Sequence, residues 1–311
     1  MMPAEAAGSR EGAGRFAHRV GRRSLGAVPP PALILLGIVS VQTGAGLAKH
    51  LFDLLPPSAI VLMRLLTSAV VLCVLGRRAV RHVFHEHSRG DLAVAAAFGL
   101  TLALMNFSIY QSMARIPLGI AVTIEFVGPL AVAIAASRRP LDLLWAVLAF
   151  GGVVMLARGG GDVTLPGVAF GLLAGACWAT YILLSAVTGR RFPGSTGLAL
   201  ASVVGTVAIM PVGVAAGGAA LLHPGALLVG VGVGLLSSVI PYSLELEALR
   251  KVPARVFGIL MSLEPAVAAL IGLIVLGEVL GLREWAAIGC VILACAGATR
   301  SRRRPPAVPE A

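Results

Sequence analysis

Long apolar segments alternate with short polar ones along most of the chain. An α-helix rises about 1.5 Å per residue, so about 20 apolar residues cross a hydrocarbon core of about 30 Å. The pattern therefore predicts an all-α polytopic membrane protein with ten transmembrane helices. The predicted spans are residues 32–51, 57–76, 91–112, 118–136, 142–157, 166–188, 196–215, 226–248, 254–275 and 282–299.

Composition supports a membrane protein, and charge predicts its orientation. The chain is 58% hydrophobic and 13% charged, whereas a soluble domain carries about 25% charged residues. Most of the 25 Lys and Arg residues lie in the termini and in alternate loops, and cytoplasmic loops are the basic ones. We therefore predict a multi-pass protein of the cell (inner or plasma) membrane with both termini cytoplasmic. Because the basic residues follow the loops, the net charge of +11 does not indicate a nucleic-acid partner.

The two halves of the chain share a plan. Pro117 and Pro129 recur as Pro253 and Pro265, at the same offset of 136 residues. Five helices per half is an odd number, so the sequence predicts two inverted five-helix repeats, an arrangement that places a binding site near the midplane. The predicted divisions are a disordered basic arm (1–31), the two repeats (32–157 and 166–299) and a cytoplasmic tail (300–311).

Three ionisable side chains fall inside predicted spans at similar depths, roughly 10–13 Å from the outer surface. They are Arg64, Glu125 and Glu264. Each would cost about 2.5–3.5 kcal/mol or more against lipid, so each must face the bundle interior. One interpretation is an Arg64–carboxylate pair that only joins helices. The other is a binding site in which Arg64 meets an anionic group and Glu125 takes a cationic group or a proton.

Two prolines predict kinks beside the carboxylates. Pro129 removes the hydrogen bond to the backbone carbonyl of Glu125 itself, which frees that oxygen. Pro265 follows Glu264 directly. Broken helices at the midplane are typical of transporter sites.

Polar residues recur at helical spacing on several spans, which predicts a polar cavity. Asn106 pairs with Tyr110 on the third span. The other predicted faces are Gln42, Gly46 and Lys49 on the first, Trp178, Tyr181 and Ser185 on the sixth, and Ser238, Tyr242 and Glu245 on the eighth.

Motifs for enzymatic or metal chemistry are missing from the sequence. His82, His85, Glu86 and His87 fit either a metal site or, more simply, a solvated loop. No metalloprotease, P-loop or catalytic-triad spacing appears, so we predict neither an enzyme nor a cofactor or metal.

Several motifs resemble those of the drug/metabolite transporter superfamily, EamA type, and particularly of bacterial threonine/homoserine exporters. They include Leu263-Glu264-Pro265-Ala266, Leu276-Gly277-Glu278, Glu125-Phe126, Gly128-Pro129-Leu130-Ala131, Gly175-Ala176-Cys177-Trp178-Ala179 and Pro241-Tyr242-Ser243-Leu244-Glu245. The resemblance covers about residues 32–299. It implies secondary active efflux of small amino acids by proton antiport with alternating access.

On that interpretation the substrate is an amino acid, and protons and the lipid bilayer are the other partners. Glu125 is the proton-coupling candidate. The candidate substrate-binding residues are Arg64, Asn106, Tyr110, Glu125, Trp178, Tyr181, Tyr242 and Glu264. Export of another metabolite or a drug is the alternative within this fold, and a channel or regulatory membrane protein is the alternative outside it.

Overall fold

The computed structural model describes residues 28–75, 87–135, 141–157, 163–192, 196–249 and 251–301. These residues form helices and no strand. We number the helices by the ten predicted spans and give the letters a and b to the two parts of a broken helix. The helices are α1 (Pro30–His50), α2 (Pro57–Leu75), α3 (Arg89–Met113), α4a (Leu118–Glu125), α4b (Val127–Ala135), α5 (Leu141–Ala157), α6 (Leu165–Arg191), α7 (Thr196–Gly217), α8a (Pro224–Gly234), α8b (Ile240–Leu249), α9a (Ala254–Met261), α9b (Glu264–Leu276) and α10 (Leu282–Ser301).

Within the described ranges, nine helices are long and apolar enough to cross a membrane. A further apolar helix, α5, is shorter. It exposes a stripe of large apolar residues at helical spacing, Leu143, Val147 and Phe150, each more than 60% exposed. A stripe of this kind is suited to contact with lipid, because exposing it to water would cost free energy in proportion to its apolar area.

Within the described residues, three of the predicted spans are interrupted helices. α4 breaks at Phe126, three residues before Pro129, and α9 breaks at Ser262 and Leu263, just before Pro265. The third interruption, a π-helical turn at Leu235–Val239 in the middle of α8, differs from the continuous helix that the apolar pattern predicts. Hydrophobicity alone does not distinguish a π turn from an α-helix.

Helices of the first half of the chain pack against helices of the second half. α3 lies along α6 and α7, and α1 lies along α8 and α9. α2 packs against α7, α4a against α9b, and α5 against α10. Each of these pairs joins a helix of one half to a helix of the other, so the interior of the bundle is lined by both halves.

Candidate functional site

A cavity of about 230 Å³ lies inside the bundle. Seven of the predicted binding residues border it: Arg64, Asn106, Tyr110, Glu125, Trp178, Tyr181 and Glu264. The eighth, Tyr242, belongs to α8b, but its side chain lies outside the described part of the chain. Its neighbours Pro241 and Glu245 border the cavity. The structure therefore brings together residues from α2, α3, α4, α6 and α9 that are far apart in sequence.

Arg64 is held by neutral groups. Its Nη1 donates to the hydroxyl of Tyr110 (3.4 Å) and its Nη2 to the backbone carbonyl of Ser237 (3.2 Å). The guanidinium carbon lies 5.7 Å from the centre of the Tyr110 ring, within the range of a cation–π contact. Among the ion pairs of the described residues, none includes Arg64. Among the described residues, the positive charge is thus fixed in position by neutral groups, without a carboxylate at ion-pair distance.

Glu125 is the last residue of α4a and is 9% exposed. Its backbone carbonyl, freed by Pro129, faces Gly175 on α6, because a Cβ built on Gly175 would lie 2.8 Å from that oxygen. The next residue, Phe126, meets Trp178 edge to face with ring centres 4.8 Å apart. The helix break therefore anchors the backbone of α4 on α6 while the carboxylate borders the cavity.

Glu264 lies on the other side of its own helix break, as the first residue of α9b. Its Oε1 accepts a hydrogen bond from Nε2 of Gln42 (2.8 Å), and both side chains are buried. Neither Oε2 of Glu264 nor Oε1 of Gln42 has a hydrogen-bond partner within the described part of the chain. Buried polar atoms are nearly always paired, so these two acceptors are available to a donor from outside the protein.

The cavity also contains polar residues beyond the predicted binding set. Gln42, Ser237 and Glu245 border it. The polar faces of α1 and α8 were the sequence signal for Gln42 and Glu245. Ser237 comes from the π turn, in which the carbonyl of Leu236 accepts from Ser40 Oγ (2.7 Å) and that of Ser237 accepts from Arg64. π turns interrupt the regular helical hydrogen bonds and occur frequently at functional sites.

One guanidinium, three carboxylates and an aromatic wall suit a small polar molecule that carries both signs of charge. Pockets for drug-sized ligands measure about 300–1,000 Å³, and this cavity of about 230 Å³ is smaller. Its size favours a metabolite of few heavy atoms over a bulky apolar drug.

A second polar cluster joins the halves at one end of the bundle. Lys49, at the end of α1, forms an ion pair with Oε1 of Glu278 (2.6 Å) and donates to the carbonyl of Ile116 (2.7 Å). Oε2 of Glu278 accepts from the backbone N–H of Leu118 at the start of α4a (2.7 Å). Gly277, with φ of +69°, turns the chain so that Glu278 reaches these groups. The predicted polar face of α1 is thus divided, because Gln42 borders the cavity whereas Lys49 belongs to this cluster.

Of the histidine-rich loop, only His87 is among the described candidate residues. His82, His85 and Glu86 lie outside the described residues, and the ring of His87 stacks on Phe192 with centres 4.5 Å apart. The described residues contain no group of three or more His, Cys, Asp or Glu side chains that could hold a metal ion.

Comparison with known proteins gives the family. Residues 165–300 match the EamA-like transporter family. The chain is 40% identical over 284 residues to proteins called threonine/homoserine exporter RhtA from Salmonella typhimurium (strain SL1344) and Escherichia coli (strain K12), covering 90% of this chain and 95% of each relative. The chain belongs to the EamA-like transporter family. It is accordingly a multi-pass membrane transporter and not an enzyme.

Two weaker similarities are to another bacterial protein and to a solved structure. The transporter is 28% identical over 160 residues to a Bacillus subtilis protein called uncharacterized transporter YwfM, covering 50% of this chain and 54% of that one. A crystal structure of a protein with 17% identity has a TM-score of 0.56 and covers 87% of this chain and 96% of its own. At that identity, the second similarity shows the fold alone.

Proposed function

We propose that this transporter exports small amino acids of the threonine and homoserine type by proton antiport. The names of the 40% identical relatives support the substrate class. The observation that carries the proposal is the position of Arg64 in one cavity with the carboxylates of Glu125 and Glu264. A zwitterion needs one cationic and one anionic partner, and this cavity supplies both.

The proposed roles follow from the contacts. Arg64, held by Tyr110 and Ser237, receives the carboxylate of the substrate. Glu125 takes up and releases the coupling proton. Its place at the end of α4a supports this role, because the negative end of a helix favours an uncharged carboxyl group. The other predicted residues that border the cavity shape its wall, namely Asn106, Trp178 and Tyr181. The role of Tyr242 stays a prediction from the sequence.

We also propose ten transmembrane helices in two inverted repeats, with both termini cytoplasmic. The helix breaks support the repeat, because Phe126 in α4 corresponds to Ser262 in α9 at the 136-residue offset. The neighbours of the helices give further support. Under the same offset the α3–α6 pair becomes the α8–α1 pair, and both pairs pack together. The α4–α6 and α9–α1 pairs show the same correspondence.

Alternating access then requires the end of the bundle at Lys49 and Glu278 to open. The cavity extends the other way, to Leu198 near the beginning of α7. Gly217, at the end of α7, packs against Ala59 at the beginning of α2, so Leu198 lies at the opposite end of the bundle from Lys49. With the predicted orientation, the ion pair closes the outer side while the cavity faces the cytoplasm.

Counterflow in proteoliposomes tests the function. Unlabelled threonine inside should drive accumulation of labelled threonine, whereas a channel would give only downhill leak. Replacing Glu125 by Gln should abolish export driven by a pH gradient, because the amide cannot carry a proton. Glu247→Gln is the matched control, since Glu247 pairs with Lys251 and is not among the residues that border the cavity.

Two results would contradict the proposal. A Glu125→Gln variant with the pH dependence of the wild type would remove the coupling role from Glu125. Growth of cells that overexpress the transporter, challenged with toxic threonine, homoserine or a panel of drugs, tests the substrate. Protection against drugs but not amino acids would favour the alternative within the family.

A further inference from the structure

The three carboxylates of the cavity have different surroundings. Glu125 lies on α4 against α6, whereas Glu264 on α9b is hydrogen-bonded to Gln42 on α1. Glu245 on α8b lies beside the same helix α1, because a Cβ built on Gly37 would be 3.6 Å from its Cγ and 3.7 Å from its Oε1. Gln42, Glu245 and Glu264 thus form one group on the α1, α8 and α9 side of the cavity, which we call the α1 acidic group.

The α1 acidic group contains buried acceptors that lack donors. Gln42 is 2% exposed and Glu264 is 7% exposed, yet Oε1 of the first and Oε2 of the second have no hydrogen-bond partner among the described residues. An unsatisfied buried acceptor destabilises the protein, and a donor-rich ligand would relieve that cost. An ammonium group has three donors and no acceptor, which matches these atoms.

Helix electrostatics separates the role of Glu264 from that of Glu125. Glu264 is the first residue of α9b, where the partial positive charge of the helix end stabilises a carboxylate. Glu125 is the last residue of α4a, where the partial charge has the opposite sign. The other charged groups facing this part of the cavity are Glu245 on α8b and Arg64 on α2. A carboxylate at the positive end of a helix suits a bound cation, whereas one at the negative end suits a proton.

We propose that Gln42, Glu245 and Glu264 form the subsite for the primary ammonium group of the exported amino acid. Arg64 receives the carboxylate of the same molecule, and Glu125 remains free for the proton. This subsite rests on the proposed export of amino acids, and it places the binding of the amino group on the α1, α8 and α9 side of the cavity.

The test compares threonine with 2,3-dihydroxybutyrate, in which a hydroxyl replaces the ammonium group. Each compound is used to compete with labelled threonine for binding to the purified full-length transporter. The wild type should prefer threonine by at least about tenfold, since hydrogen bonds to charged groups are stronger than those to neutral groups. Glu264→Gln should weaken threonine at least about tenfold and leave the hydroxy acid nearly unchanged, so that the preference is lost.

Glu245→Gln provides a second variant. Within the described residues Glu245 forms no hydrogen bond, so the substitution should not disturb the fold. It should reduce the preference in the same direction. Glu247→Gln, two residues away on α8b, should keep the preference of the wild type. Glu125→Gln should keep it as well, while losing pH-driven export.

The outcomes are separable. Equal weakening of threonine and of the hydroxy acid in Glu264→Gln and Glu245→Gln would overturn the subsite, because a structural defect affects both compounds alike. A loss of preference in Glu125→Gln alone would move the ammonium group to Glu125 and overturn it too. A wild type that binds neither compound would overturn the proposed amino-acid substrate, and the subsite with it.

Discussion

The contact between α4 and α6 allows a sharp prediction, because it depends on two glycines. A Cβ built on Gly128 overlaps the carbonyl oxygen of Gly175 and lies 2.6 Å from the carbonyl carbon and 2.9 Å from Cα of the same residue. Non-bonded carbon atoms pack at about 3.5–4.0 Å. Gly128→Ala must therefore push α4 and α6 apart by roughly 1 Å, since a backbone cannot move aside as a side chain can.

The expected cost is about 1–3 kcal/mol, the usual range for overpacking. At 1.4 kcal/mol per factor of ten, the ratio of folded to unfolded transporter falls roughly 5- to 150-fold. The effect on transport should be at least as large, because the same contact anchors the backbone of Glu125 and a displacement of about 1 Å in a positioned group can cost about 100-fold.

Gly151→Ala on α5 is the matched control, because a Cβ built there meets nothing within 4 Å. It should be neutral or slightly stabilising, since alanine is a better helix former than glycine by about 0.5–1 kcal/mol. The assays are the fraction of monodisperse protein left after heating in detergent and the initial rate of threonine counterflow. If Gly128→Ala behaved like Gly151→Ala in both, the described α4–α6 contact would be wrong.

Two further predictions concern charged residues. Glu278→Gln removes the ion pair with Lys49 and should destabilise the transporter by about 1–3 kcal/mol. Adding Lys49→Met should restore part of that stability in thermal denaturation, because the double variant leaves no unpaired charge. If the losses of the two single variants simply add in the double variant, the two residues are not coupled. Arg64→Lys should raise the KM for threonine at least about tenfold in counterflow. A lysine ammonium lacks the two guanidinium nitrogens that bond Tyr110 and Ser237 at the same time. An unchanged KM would exclude Arg64 from the substrate site.

The candidate site was largely predictable from single residues. A charged side chain in an apolar span must face the interior whatever the details of packing, which is why Arg64, Glu125 and Glu264 all border one cavity. The prolines likewise predicted interruptions, since each removes a specific backbone hydrogen bond. Glu245 was harder to assign from the sequence, because a glutamate near the end of a span can also reach the interfacial water.

Partners and breaks of regular geometry depend on tertiary structure. Gln42 and Glu264 are 222 residues apart, and only the packing of α1 against α9 brings them within 2.8 Å. The π turn at Leu235–Val239 provides the backbone carbonyl to which Arg64 donates. Hydrophobic periodicity does not predict this turn. The Lys49–Glu278 pair also depends on where α1 and the α9–α10 loop end relative to each other.

The sequence by itself determined the membrane environment, the helical class and the residues that lipid could not accept, because each follows from the local cost of placing a side chain in hydrocarbon. Only the tertiary structure decided which group each charge faces. A hydrogen bond or an ion pair depends on distances of a few ångströms between helices that the chain connects through scores of residues. The same three charges could have formed ion pairs with one another, and in this fold they border a cavity.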